Sequence, residues 1–289
     1  MKTALKADLL TLAAIGLWGS LAALGVKLSH VPPFLLTGLG LLLGSLIALP
    51  LSRGRWSQWQ VPLPTLGVGI YGLFGFHFLL FMALRHAPAV EANLVNYLWP
   101  LGMVVLAPLF LQDMHLHIRH VVAALIGFAG AAIAILGRGG VGDSHGGFQF
   151  GYVLALASAF VWASYSLMTR RLPPFPTAAV GSFAVVSGLL SLACHVLLEP
   201  SVALSREDWI LILLLGAGPL GGAFFLWDAA IKIGDTRRMG LLAFATPILS
   251  TVMLLLTTGQ PLHWNVAIAA VLVVGAAMGG SRSTMNGSP

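Results

Sequence analysis

Ten apolar stretches, each close to twenty residues long, divide almost the whole of this 289-residue chain. They run roughly over 9–28, 33–51, 63–84, 89–111, 120–137, 150–169, 176–198, 209–231, 239–258 and 262–280. A hydrocarbon layer about 30 Å thick asks for ~20 apolar residues per helix. Inside it every backbone N–H and C=O must be paired within the segment, which leaves helices as the only open-chain solution. Only 8% of the residues are charged and 58% are hydrophobic. Soluble domains carry about 25% charged residues, so the chain is expected to be an all-α membrane protein of ten transmembrane helices. The 34 glycines and 16 prolines agree, because both residues are more frequent in membrane helices than in soluble ones.

The connections are short, so a soluble domain has no room. Counting Lys and Arg with the N-terminus inside puts Lys2, Lys6, Arg53, Arg55, Arg119, Arg170, Arg171, Lys232, Arg237, Arg238 and Arg282 on the inner side. Lys27, Arg85, Arg138 and Arg206 fall outside, eleven against four of the fifteen present. The positive-inside rule then predicts that both termini face the cytoplasm. The net charge of +6 is spread over loops rather than gathered in a patch, so no nucleic-acid partner is expected. Lys2 and Lys6 before an apolar run have the look of a secretory signal. That run continues to Val26, however, and is read as the first helix. The single cysteine, Cys194, excludes a disulfide framework.

A repeat is visible. Trp18-Gly19-Ser20 in the first stretch parallels Trp162-Ala163-Ser164 in the sixth; Pro100, Gln112 and His120 parallel Pro247, Gln260 and His263. The offsets are all about 143–148 positions. Two halves of five helices follow, 1–138 and 150–280, with 281–289 as a cytoplasmic tail. An odd helix count per half inserts the second upside down, an arrangement that transporters use around a midplane substrate site.

Asn93, Asn96, Tyr97 and Pro100 share one face of the fourth helix at i, i+3, i+4 and i+7. They read as a cavity wall beside a kink, against the alternative that the two Asn only tie neighbouring helices together. Pro100 and Pro247 are the candidate gating positions, since each frees a carbonyl one turn earlier. Ser158, Trp162, Tyr165, Ser166 and Thr169 form a second stripe on the sixth helix. Their hydroxyls can satisfy themselves on the i−4 carbonyl, but a tryptophan at mid-membrane depth can stack on a planar ligand. Trp18 shares its face with Ala14, Ala22 and Gly25, which suits close helix packing as much as a cavity. His77 lies inside the third stretch among Ile70, Phe74 and Phe81, either as a ligand contact or proton relay or as a passive neutral imidazole. Glu91 and Asp228 are expected near helix ends, each as an interfacial cap or paired with a nearby base, Arg85 and Lys232 being the candidates, rather than as proton carriers. Glycines 216, 218, 221 and 222 are expected to let the eighth helix slide.

His115, His117 and His120 do not have zinc spacing. No nucleophile elbow, zinc-protease helix or phosphate loop occurs, so no enzyme activity, metal or cofactor is expected.

Glu91 followed by Asn96-Tyr97-Leu98-Trp99-Pro100 resembles the fourth helix of the aromatic amino acid exporters in the EamA branch of the drug/metabolite transporter superfamily. The Trp227-Asp228 pair resembles an aromatic–polar pair in that family's eighth helix. The resemblance implies ten helices in two inverted halves and export of aromatic and other neutral amino acids, with planar cationic drugs as further substrates. It also implies a central cavity lined by His77, Tyr97, Trp99, Trp162 and Trp227. Phe76-His77 departs from the family, where a tyrosine and an acidic residue are expected. Trp99 lies about 120° from the Asn93/Asn96/Tyr97 stripe on an ideal helix, so it reaches the same cavity only if Pro100 distorts the turn. The alternatives are a carrier for phosphorylated or nucleotide-linked metabolites, which would need buried Lys or Arg, and a non-transporting membrane scaffold.

Overall fold

A computed structural model describes residues 2–111, 114–136, 149–259 and 264–281. The expected loop 139–147, the tail beyond Ser281, Arg138 and the repeat markers Gln112, Gln260 and His263 lie outside them. No strand occurs among the described residues. The helical segments are α1 Lys2–Lys27, α2 Pro33–Ser52, α3 Leu63–His86, α4 Ala89–Phe110, α5 Ile118–Leu136, α6 Phe150–Met168, α7 Thr177–Leu198, α8 Arg206–Ile233 and α9 Thr236–Thr257. These nine are long and apolar enough to cross a membrane, by length and composition. A further helix, α10 Trp264–Ser281, has an apolar stretch at Val266–Gly279.

Polar contacts sort the helix ends into two sets. At the near end, where the chain starts, Asp8 of α1 takes a two-pronged bond from Arg238 of α9, Nε–Oδ1 2.8 Å and Nη2–Oδ2 2.9 Å. Arg170 after α6 donates to the Gly234 carbonyl between α8 and α9. Arg237 donates to the His115 carbonyl between α4 and α5 at 3.1 Å. At the far end Tyr152 of α6 donates to Glu91 of α4, and His30 meets Asp208 of α8 at 3.1 Å. Arg85 bonds Glu199 rather than Glu91, which corrects the pairing read from the sequence: Glu199 lies after α7 and comes near only in the fold.

Glu199 is the main tie at the far end. α2 opens at Pro32-Pro33 with no side-chain cap, so its first N–H groups need an acceptor. The Glu199 carboxylate takes Phe34 N–H at 2.9 Å and Leu35 N–H at 3.2 Å. It also receives Arg85 at 3.4 Å and His195 Nδ1 at 2.9 Å. A negative group at a helix N-terminus is favoured by the helix dipole as well. Glu199→Ala is expected to lower the thermal unfolding midpoint in detergent by several degrees, for a loss of about 2–4 kcal/mol. An unchanged midpoint would show that water replaces the carboxylate at no cost.

Many of the packing contacts between helices have a partner five helices on. α1 packs on α8 and α3 on α6; α1 on α9 and α4 on α6; α2 on α8 and α3 on α7. The pairs α2–α7, α4–α9 and α5–α10 map onto themselves. Local irregularities repeat too. α3 carries a π-helical segment at Tyr71–Gly75 and α8 one at Gly218–Gly222. α4 breaks after Asn96 and α9 after Ala243. Both the π segments and the breaks recur after 147 positions (218 − 71; 244 − 97). Two of the glycines expected to let α8 slide serve close packing in this structure. Gly216 and Gly221 press α8 against Gly40 and Gly44 of α2, backbone on backbone.

Candidate functional site

Helix α4 turns on its proline. The ring of Pro100 leaves the carbonyl of residue 96 without its usual donor. The helix ends at Asn96, with Tyr97 (ψ 7°) as its last cap, and restarts at Trp99. The break rotates the second segment, and this brings Trp99 inward. Its ring centroid lies 6.4 Å from Trp18, 6.3 Å from Trp162 and 5.7 Å from Trp227. The turn at Pro100 is thus distorted, and Trp99 meets the other three indoles.

Four indoles thus meet from four helices. Trp18 is 5.7 Å from Trp162 and 5.1 Å from Trp227, and Trp162 lies nearly parallel to Trp227 at 6.4 Å. Phe224 touches Trp18 and Trp162, Phe76 touches Trp162, and Tyr165 packs on Trp162 at 5.3 Å. Edge-to-face and offset contacts at these separations are the favourable aromatic geometries. Phe76 and Phe224 were not singled out from the sequence. Phe224 stands three residues before Trp227 on one face of α8, and that spacing was the available signal.

The centre is packed. Trp18, Trp99, Trp162 and Trp227 are 9%, 5%, 3% and 1% exposed. This corrects the expectation of an open hollow between Asn96 and Trp162: the rings themselves fill it in this conformation. Asn96 is buried and accepts from Ser158 Oγ at 2.7 Å, so it ties α4 to α6 as the helix-linking alternative foresaw. Asn93 and Tyr97 are only half-buried; they stand on the far-end side of the break. Ser166 accepts the Trp227 indole N–H at 3.2 Å and thereby fixes that ring. Thr169 bonds back to the Tyr165 carbonyl. Ser158 reaches the Ala155 carbonyl as well.

His77 is buried, with Nδ1 2.6 Å from the Leu73 carbonyl. Its ring meets Phe76, Phe81 and Phe224. The wider turn of the π segment just before it changes the helix register. His77 thus touches the edge of the aromatic cluster through Phe224 and is held by its own helix.

Asp228 is covered by protein. It is 1% exposed, next to Trp227, with Oδ2 2.6 Å from Lys232 Nζ. Lys232 is the partner named from the sequence, and the carboxylate it holds is buried rather than exposed at the helix end.

The two broken helices meet unequally. The near half of α4, Trp99–Phe110, packs on the near half of α9, Thr236–Ala243. Gly240 lies so close that an added Cβ would sit 2.9 Å from the Pro100 carbonyl oxygen. The far half of α4 packs instead on α3, α5 and α6, and the far half of α9 on α1, α5 and α10. Separately, a groove of about 450 Å³ opens between α3, α4 and α6, lined among others by Pro64, Val68, Tyr71, Phe110, Phe160 and Met168. Tyr71 and Ser164 share a hydrogen bond of 2.8 Å at its wall.

This geometry has close relatives. The family of EamA-like transporters matches twice, over residues 5–136 and 149–281. The aromatic amino acid exporter YddG of Ancylobacter novellus is 41% identical over 94% of this chain and 96% of its own length. The exporter of the same name from Escherichia coli K12 is 26% identical over 94% of this chain and 96% of its own. A crystal structure of a protein 39% identical to this chain superposes with a TM-score of 0.87, over 98% of this chain and 99% of that one. Two family matches that together span most of the sequence, on a helical bundle of membrane-spanning length, identify a multi-pass membrane transporter rather than an enzyme: the chain belongs to the EamA-like transporter family.

Proposed function

We propose that the protein is a secondary transporter of the bacterial inner membrane that exports aromatic and other neutral amino acids, or related small metabolites, by alternating access. The observation that carries this reading is the four-indole cluster at the break of α4. It is built from both halves of the chain and set where a flat side chain of a substrate would have to part the rings. Related exporters are named for aromatic amino acids, whose side chains stack on such rings.

The reading includes ten spans in two inverted halves, 1–138 and 150–280, with both termini in the cytoplasm. The double family match, the exchangeable packing pairs and the irregularities recurring after 147 positions support it. The excess of Lys and Arg supports placing the near end in the cytoplasm. In this conformation the near halves of α4 and α9 close the cytoplasmic side, and Pro100 and Pro247 mark where each helix bends. The substrate surface consists of Trp18, Trp99, Trp162, Trp227 and Tyr165, with Ser166 holding Trp227. Asn93, Tyr97 and His77 border it, and Asn96 secures α4.

Counterflow in proteoliposomes tests the function. Vesicles loaded with unlabelled phenylalanine or tryptophan are expected to take up the labelled amino acid transiently, at several times the rate of empty-vesicle controls. Exchange of phosphorylated metabolites alone would favour an anion carrier. No exchange of any solute would leave a scaffold.

A further inference from the structure

One buried charge next to the aromatic cluster is not used by the substrate reading. Asp228 lies five residues before the cytoplasmic end of α8, directly after Trp227, and is 1% exposed. Its Oδ2 is held by Lys232 Nζ at 2.6 Å. Its buried Oδ1 has no partner at ordinary hydrogen-bond distance, with the Thr177 hydroxyl facing the carboxylate from slightly farther away. A carboxylate can accept about four bonds, and an ionised oxygen without a donor in a low-dielectric interior is costly. Protonation removes that cost. Lys232 reaches the surface, its side chain 23% exposed. Its ammonium stands 3.7 Å over the ring of Phe175, just before α7, and 3.5 Å from Thr177 Oγ1 at the start of α7. The pair therefore has an inner member that can take a proton and an outer member that can carry its own charge to water.

The groups that face Asp228 are few. Lys232 comes from its own helix, the phenol of Tyr165 from α6, and the hydroxyl of Thr177 from the start of α7. Of the other near-end charges, Asp8 pairs with Arg238, Arg237 with Asp235, and Arg170 bonds main chain. Lys232 is thus the one counter-ion bonded to Asp228 among the described residues.

We infer that Asp228, paired with Lys232, is a proton-binding site that couples substrate export to proton entry, a step that rests on the transport reading above. A proton from water on the outer side, admitted when the centre opens there, adds to the Asp228 carboxylate and forms an O–H bond. The hydrogen bond from Lys232 is broken, and its ammonium, still protonated, turns to cytoplasmic water and loosens the α7–α8 contact at Phe175 and Thr177. When the cytoplasmic side opens the carboxyl loses the proton to the cytoplasm, and Lys232 returns. One proton enters for each neutral zwitterionic amino acid that leaves. Only proton transfer is involved, and the charge on Lys232 is unchanged throughout.

The test uses the full chain in proteoliposomes, with the membrane potential clamped at zero and the lumen one pH unit more acidic than the bath. One-to-one exchange is expected to accumulate labelled phenylalanine inside about tenfold, the ratio that a one-unit proton gradient supports. Asp228→Asn, and the doubly neutral Asp228→Asn/Lys232→Met as a variant that leaves no lone buried charge, are expected to keep counterflow and to reach a ratio of one. A wild-type ratio of one, or tenfold accumulation in the double variant, would overturn the coupling. Infrared difference spectra give a second readout that needs no transport. A protonated-carboxyl band that grows on acidification and is missing in Asp228→Asn is expected; the same band in both proteins would remove the site. If wild type shows no counterflow at all, the transport reading fails, and the infrared result alone decides whether Asp228 binds a proton.

Discussion

Replacing Trp162 by alanine is expected to abolish transport while the protein still reaches the membrane. Trp162 is the ring that touches most others in the centre: Trp18, Phe76, Trp99, Tyr165, Phe224 and Trp227, with centroids 5.3–6.4 Å away. A buried tryptophan in a binding surface commonly contributes about 2 kcal/mol or more, a loss of ~30-fold in affinity. Truncation also leaves a large cavity, with a stability cost of about 3–5 kcal/mol. Trp162→Phe separates the two effects, because it refills most of the volume and keeps an aromatic face. Counterflow is expected to fall to background in Trp162→Ala and to return in part in Trp162→Phe, with membrane abundance followed by immunoblot. Normal abundance together with a wild-type KM in Trp162→Ala would remove the indole cluster from the substrate path.

The second large effect concerns folding. A methyl group added at Gly221 would overlap the Gly216 carbonyl oxygen and sit 2.6 Å from the Gly44 Cα. Both obstacles are backbone, so no side chain can swing away; α2 and α8 must separate or the π segment must unwind. Overpacking of this kind costs about 3 kcal/mol or more. Gly221→Ala is therefore expected to fail to accumulate in the membrane. Gly16 and Gly25 provide the contrast, since an added Cβ there meets nothing within 4 Å. Alanine at either is expected to be neutral, or stabilising by up to about 1 kcal/mol through helix propensity. Comparable yields of Gly221→Ala and Gly16→Ala would show that the α2–α8 contact yields easily.

What the sequence revealed depended on how local each feature was. The helical stretches are legible one at a time, because each must satisfy its own backbone in lipid. The place of Trp99 was legible as a condition, because the effect of Pro100 on the preceding turn is local chemistry. The Glu199 tie was hidden: its partners Phe34, Leu35 and Arg85 are more than a hundred residues away. The pairing of Glu91 with Arg85 failed for the same reason, since sequence proximity stood in for a distance only the fold sets. The π segment before His77 was also invisible, because a helical wheel with a constant 3.6 period has no place for a wider turn. The burial of Asp228 could not be read from its distance to the helix end. Five residues from a terminus is still interior when α6 and α7 cover that end. The central hollow was inferred from which residues are polar, whereas the volume there is decided by four indoles converging from separate helices.

The origin of those indoles has a consequence for assembly. Trp18 and Trp99 precede residue 138, and Trp162 and Trp227 follow residue 150. Neither set of five helices holds more than two of the rings, so the cage exists only along the seam where both sets have docked. Co-expressed fragments cut between them would have to find each other before any cage formed, and a fragment alone would expose its two indoles to lipid.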